Sequence, residues 1–191
     1  MGNQVITKPA SEPLTLTEAK AHLNVDHDED DTYITTLITV ARRTAEGKQW
    51  RALMTTTREQ TMDCFPFGCI TLEHPPLQSV TSVKYIDADG VQQTLSSDNY
   101  DVDTDSIYGR ICPAYGLNWP TTRNIQNAVR VRYDCGYADA DSVPTTTKQA
   151  MLLLIGNWYE HREEVVVGLS VTKITDAVDM LLNQNSAKRF V

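Results

Sequence analysis

Apolar positions along this chain change period twice, and each change marks a change of structure. Near the start, Thr15-Leu16-Thr17-Glu18 forms a capping box: the threonine accepts from the Glu18 backbone N–H while the glutamate reaches back. It predicts a short helix through Leu23. A second helix starts in the acidic run Asp26-His27-Asp28-Glu29-Asp30-Asp31, whose carboxylates face the positive end of the helix dipole. Ile34, Leu37, Ile38, Ala41 and Ala45 follow at helical spacing, which carries that helix to about Lys48, or a turn further to Leu53.

The period then shortens. Residues 55–137 are rich in Thr, Val, Ile and Tyr and are broken by Pro and Gly. Val80–Ile86 and Val91–Leu95 flank Asp87-Ala88-Asp89-Gly90, which is a strong hairpin signal. Val129-Arg130-Val131-Arg132-Tyr133 alternates strictly, with apolar residues to one face and arginines to the other. This middle reads as a small antiparallel β domain of about five or six strands.

Helical spacing returns after Pro144, which suits a first helical turn. Ala150, Met151, Leu154, Ile155 and Trp158 form the buried stripe, and Gly168 lies beyond the helix. A last helix, about Thr175 to Asn183, carries Ala177, Val178, Leu181 and Leu182 on one face. The fold class is therefore α+β. A helical bundle, with two N-terminal and two C-terminal helices, carries a small antiparallel β domain inserted between its long helices. The expected parts are a flexible arm (1–13), N-terminal bundle helices (14–54), the inserted β domain (55–137), C-terminal bundle helices (144–183) and a flexible tail (184–191).

Composition narrows the function. With 191 residues and 41% hydrophobic content, the chain has enough material for one good core or a core plus a satellite. No apolar run approaches the roughly 20 residues that span a bilayer, and MGNQVITKPASEP lacks the basic-then-apolar pattern of a secretory signal. A formal charge of −8 argues against gripping nucleic acid through phosphates, yet suits a wall along which DNA slides. The four cysteines, Cys64, Cys69, Cys112 and Cys135, show no zinc spacing and read first as buried or half-buried free thiols in a reducing cytosol, with disulfides the second reading.

No reactive constellation emerges. A calcium loop counted from Asp26 would need Gly and Glu where Asp31 and Leu37 stand; counted from Asp101, Ser106 and Cys112 stand there. His22, His27, His74 and His161 fall in no metal-binding spacing. Glu160 and Glu163 flank His161 in a charged C-terminal turn, without the apolar pocket a general acid requires. There is no phosphate loop and no GxSxG, and Ser170 is a lone serine. Trp50, Trp119 and Trp158 suit interfaces or cores. No catalytic, cofactor-binding or metal-binding residue is expected.

Three stretches in order carry a resemblance. They are Glu12-Pro13-Leu14-Thr15-Leu16-Thr17-Glu18-Ala19-Lys20-Ala21-His22-Leu23; Pro75 to Gly90; and Ala128 to Tyr137, running through Val143-Pro144 into Trp158-Tyr159-Glu160-His161-Arg162-Glu163. Over about residues 12–182 the chain resembles the head–tail connector (adaptor) proteins of tailed double-stranded DNA phages, prophages and gene-transfer agents. The resemblance implies a structural virion protein and no enzyme. It implies an oligomeric ring, commonly a dodecamer, under the portal protein at the head–tail junction. Such a ring extends the DNA channel and docks the next neck or tail protein, after assembly in the host cytoplasm. DNA passes through without specific binding, and no membrane or cofactor is involved. Twelve copies at −8 each bring a formal −96 to the channel region.

Two surfaces follow as expectations. Asp26, Asp28, Glu29, Asp30 and Asp31 are candidates for an acidic channel face. Lys188, Arg189, Phe190 and Val191 offer two charges and an aromatic anchor for a partner groove. Residues 1–13 and 184–191 are expected to order on docking, so that removing 184–191 leaves the fold intact. A stopper or tail-completion protein of the same neck region is the alternative reading, with an uncharacterised enzyme behind it.

Overall fold

A computed structural model describes residues 2–161 and 172–188. The chain divides into two compact units, one built from Met1–Ala10 with Thr55–Tyr137, the other from Ser11–Met54 with Ala138–Val191.

The second unit is helical. Helix α1 (Leu16–Leu23) opens on the capping box: Thr15 Oγ1 accepts from Glu18 N at 3.1 Å, and Thr15 N donates to Glu18 Oε2 at 2.7 Å. The Thr15 amide, and then the Thr15 hydroxyl, which donates to the same Oε2 at 2.8 Å, favour the charged carboxylate and lower the Glu18 pKa. The helix stops at Asn24, whose left-handed φ of 55° is one this residue type tolerates. Helix α2 (Asp31–Gln49) buries Ile34, Leu37, Ile38, Ala41 and Ala45, each aliphatic burial being worth about 1.5–3 kcal/mol for the larger side chains. It ends where Trp50 turns left-handed (φ 57°), so the chain does not continue helically to Leu53.

Helix α3 (Thr145–Glu160) has Pro144 as its N-cap, one place before the first turn. Thr147, Ala150, Met151 and Ile155 are buried, whereas Leu154 and Trp158 are only half-buried. Helix α4 (Thr172–Asn183) begins three residues earlier than the apolar spacing suggests. Val178 and Leu182 are buried, Leu181 is half-buried and Ala177 faces out. Gly168 and Ser170 lie outside the described residues.

Two polar knots hold these helices. The Arg42 side chain, 8% exposed, donates to Glu12 Oε2 at 2.6 Å and to Glu46 Oε2 at 2.9 Å. Gln49, fully buried, donates to Thr147 Oγ1 at 2.9 Å and to the Leu182 carbonyl at 3.0 Å. Its own carbonyl accepts from Ala187 N at 2.8 Å. The segment 184–188 is therefore not the free tail expected: Ala187 is 4% exposed and Asn185 donates to Thr146 Oγ1. Small size lets Ala187 enter the core, and the carbonyl at the end of α2 supplies an acceptor.

The first unit is two antiparallel sheets. Strands β1 (Gly2–Thr7), β2 (Thr56–Met62), β4 (Leu77–Ile86), β5 (Gln92–Leu95) and β8 (Val129–Cys135) form one sheet in the order β1-β2-β8-β4-β5. Strands β3 (Ile70–Thr71), β6 (Tyr100–Asp103) and β7 (Arg110–Pro113) form the other, in the order β3-β7-β6. Among the described residues that is more strands than the five or six expected. The expected N-terminal arm is one of them: residues 2–7 pair with β2, Gly2 opposite Thr61 and Val5 opposite Arg58.

Central β8 shows the alternation anticipated for it. Val129, Val131, Tyr133 and Cys135 have no exposed surface, while Arg130 faces out. The β4–β5 hairpin forms as its Asp-Gly turn dictates: Asp87 Oδ1 accepts from the Asp89 and Val91 amides, and Gly90 takes φ 88°. At Gly109 a Cβ would sit 2.3 Å from Leu77, so only glycine lets β7 lie this close to β4.

The cysteines depart from expectation. Cys69 and Cys112 form a disulfide, Cα atoms 4.2 Å apart; Cys64 is free and exposed, and Cys135 free and buried. The pairing Ile70↔Ile111 between β3 and β7 sets the two half-cystines opposite each other. A separation of 43 residues hides that register from the sequence.

Candidate interaction surfaces

The acidic run between α1 and α2 does not act as one patch. Lys20, in the last turn of α1, reaches Asp28 Oδ1 and Asp31 Oδ1, both at 2.7 Å. These bonds raise the Lys20 pKa and lower that of Asp28. Asp30 accepts from the Tyr159 hydroxyl at 2.6 Å, tying the start of α2 to α3. Tyr33 adds a bond to the Trp158 carbonyl at 3.2 Å and lies 6.2 Å from the Tyr159 ring. Glu29 is open, with His27 Nδ1 3.7 Å away, and Asp26 is exposed. The geometry thus consumes Asp28, Asp30 and Asp31 in local structure and leaves Asp26 and Glu29 directed at solvent.

At the other end, Lys188 is exposed, its backbone amide bonded to Ser186 Oγ. Arg189, Phe190 and Val191 lie outside the described residues.

The β unit presents its own surface. Loops 63–69 and 114–119 meet where Trp119 Nε1 donates to the Gly68 carbonyl at 2.7 Å. Phe65 stacks on Trp119 at 4.8 Å between centroids and meets Tyr85 edge-on at 5.7 Å. Phe67 and Tyr115, on those same loops, are fully exposed. A separate polar cleft of about 390 Å³ is lined by Gly2, Asn3, Gln4, Glu59, Thr61, Asn127 and Arg130. Its carboxylate, Glu59, lies 2.9 Å from Arg132 and 3.8 Å from Arg130. Bracketing a carboxylate with two guanidiniums is the reverse of the apolar pocket a general acid requires.

The histidines are scattered. His161 is the exposed C-cap of α3, and Glu163 beside it lies outside the described residues. His22 is exposed on α1, near Gly156 of α3. His74 is held neutral by burial, with the nearby Arg58 charge adding to it, at a pKa of about 4. Among the described residues no three of His, Cys, Asp or Glu converge as metal ligands, and no helix is long and apolar enough to cross a membrane.

Sequence reasoning found the acidic run but not the lysine that neutralises part of it. The partner of Lys20 lies 8 and 11 residues away across a turn, a distance no helical spacing rule covers. It also missed the aromatic loop ends, whose meeting depends on the β3–β7 pairing.

Known proteins give these surfaces a context. No curated protein matches the chain. Three solved structures share its fold over 100% of its length and 98% of theirs. One is the neck of an empty gene transfer agent particle with C6 symmetry, at a TM-score of 0.79 and 22% identity. Another is the virion of a native gene transfer agent particle, at 0.80 and 20%. The third is the neck of a native particle with C12 symmetry, at 0.78 and 20%. Residues 13–86, which hold α1, α2 and strands β2 to β4, match the family model of phage gp6-like head–tail connector proteins. Residues 13–86 are thus similar to the phage gp6-like head–tail connector proteins, in a chain that throughout has the fold found in gene transfer agent particles.

Proposed function

We propose that this chain is a structural connector of the head–tail neck, assembled as a ring that prolongs the DNA channel. The observation that carries the reading is the coincidence of the connector-domain match over residues 13–86 with an end-to-end likeness to a neck protein. The C6 and C12 symmetries of those necks favour a ring, with twelve copies as the natural number. A ring of identical chains requires two different complementary faces per subunit, a heterologous contact closed by rotation.

In this reading the helical bundle and the β domain inserted between its helix pairs are two bodies of one building block. The portal protein lies above it and a stopper or tail protein below it. Asp26 and Glu29, the exposed carboxylates that neither Lys20 nor Tyr159 occupies, are the residues best suited to face DNA. A net acidic wall repels a polyanion that carries one charge per about 1.7 Å of axis, and so keeps it centred and unbound. Lys188, with Arg189, Phe190 and Val191, supplies a partner contact beyond the packed residue Ala187. The chain has no chemical step to perform; its work is shape. Its place is the virion, reached after assembly in the host cytoplasm.

The test is removal. Without this chain, particle-producing cells should accumulate DNA-filled heads and separate tails, and purified protein added back should restore joining. Tailed particles at undiminished yield in its absence would overturn the reading.

A further inference from the structure

Helix α2 presents an outward face unlike that of an ordinary solvated helix. Thr32, Thr36, Val40, Arg43 and Gly47 are exposed along it, and Trp50 follows at 43% exposure. Threonine and glycine are poor helix formers, where a solvent face usually carries Lys, Glu or Gln. The Thr36 hydroxyl on this face, and that of the half-buried Thr44 beside it, are also turned inward. Thr36 Oγ1 donates to the Thr32 carbonyl at 2.9 Å, and Thr44 Oγ1 to the Val40 carbonyl at 2.9 Å. With their protons committed to the backbone, these side chains offer methyl groups to the outside. The face is short-stemmed and apolar in character. It carries a single charge, Arg43, which has no ion pair among the described residues.

Helix α4 holds the counterpart. Its outward positions are Asp176, Ala177, Met180 and Asn183, with Met180 72% exposed. Asp176 has no ion pair among the described residues, whereas Asp179, half-buried, is held by Lys48. Each face therefore pairs one exposed aliphatic or thioether side chain with one unmatched charge, and the charges are opposite.

We propose that the outward face of α2 docks on the outward face of α4 of a second copy of this chain. Val40 packs against Met180, and Arg43 pairs with Asp176. The proposal rests on the ring reading above and names its contact. The two faces differ, so the contact is heterologous and each subunit keeps one of each free for the next, which is what ring closure demands. Gly47 lets the helices approach closely, and a flexible methionine fits an irregular surface.

The experiment measures the mass of complexes formed by the full chain, alone and in isolated particle necks. Variants are Val40→Glu, Arg43→Asp, Asp176→Arg and the double charge reversal R43D/D176R. All sites are exposed, so helical content and thermal midpoint should match wild type in each. Val40→Glu and each single reversal should weaken self-association about tenfold or more, and the double reversal should return it to within about threefold of wild type. Single reversals that assemble normally, or a double reversal no better than either single, would overturn the face assignment while leaving the ring standing. A wild-type chain found as a lone copy both in solution and in the neck would overturn the ring itself.

Discussion

Gln49, at the end of α2, donates its side-chain amide to Thr147 Oγ1 of α3 at 2.9 Å, and neither residue has any exposed surface. The same amide reaches the Leu182 carbonyl near the end of α4, so one side chain joins three helices. Gln49→Ala should destabilise the helical unit by about 2–4 kcal/mol, through a cavity and lost hydrogen bonds. Gln49→Met, which keeps the volume, should cost about 1–2 kcal/mol. Urea unfolding followed by helical signal measures both; equal stability of the alanine variant would show that this junction is not structural.

The Cys69–Cys112 disulfide closes a loop of 43 residues that includes the β4–β5 hairpin. Replacing both half-cystines with alanine should lower the stability of the β unit by about 2–4 kcal/mol in oxidising buffer. Reductant should lower the unfolding midpoint of wild type and leave the double variant unmoved. Mass analysis after alkylation should count two reactive cysteines in unfolded oxidised wild type, Cys64 and Cys135.

His74 gives the β unit a pH dependence with a definite sign. Its pKa falls from 6.5 to about 4 on folding, because burial, and then Arg58, disfavour the imidazolium. The unfolded chain thus binds a proton at a higher pH than the folded one. Stability is full above pH 6.5 and declines as pH drops from there toward 4. His74 sits at φ 59°, a conformation asparagine tolerates. His74→Asn should therefore flatten the thermal midpoint between pH 6.5 and about 5.5, above the range where Glu18, Asp87 and Asp103, all lowered by hydrogen bonds in the fold, start to take up protons in the unfolded chain. A slope unchanged in H74N would assign the effect to other groups.

The C-terminal segment separates packing from docking. Removing residues 189–191 should leave stability unchanged, since it takes nothing from the described core. Removing 184–191 deletes Ala187, whose amide bonds to the Gln49 carbonyl, and Asn185, whose carbonyl accepts from Arg51 Nε at 2.7 Å. That cut should cost about 2 kcal/mol or more. Differential scanning calorimetry of the two truncations distinguishes them, and only the shorter one is a fair probe of partner binding.

What the sequence made legible was local. The capping box at Thr15 and Glu18, the turn at Asp87–Gly90 and the alternation of Val129, Val131 and Tyr133 each involve residues within a few positions. Their physics is complete before any tertiary contact forms. What stayed hidden was set by pairing at long range. Strand β1 (GNQVIT) is polar and lacks a clean period, and its partner β2 starts about fifty residues later. Strand β3 is two residues long and exists only through β7. Cys69 and Cys112 meet because of that pairing. The acidic run was visible as charge, but Lys20 and Tyr159, which occupy three of its carboxylates, come from other elements.

The most direct measurement of the central claim is the number and position of copies of this chain in purified particles. A tagged chain can be counted by quantitative mass spectrometry and located in an electron cryomicroscopy reconstruction. The account predicts a ring at the junction of head and tail, with the twelvefold or sixfold order of the necks it is similar to. A chain absent from the particle, or located in the capsid shell or along the tail tube, would contradict it.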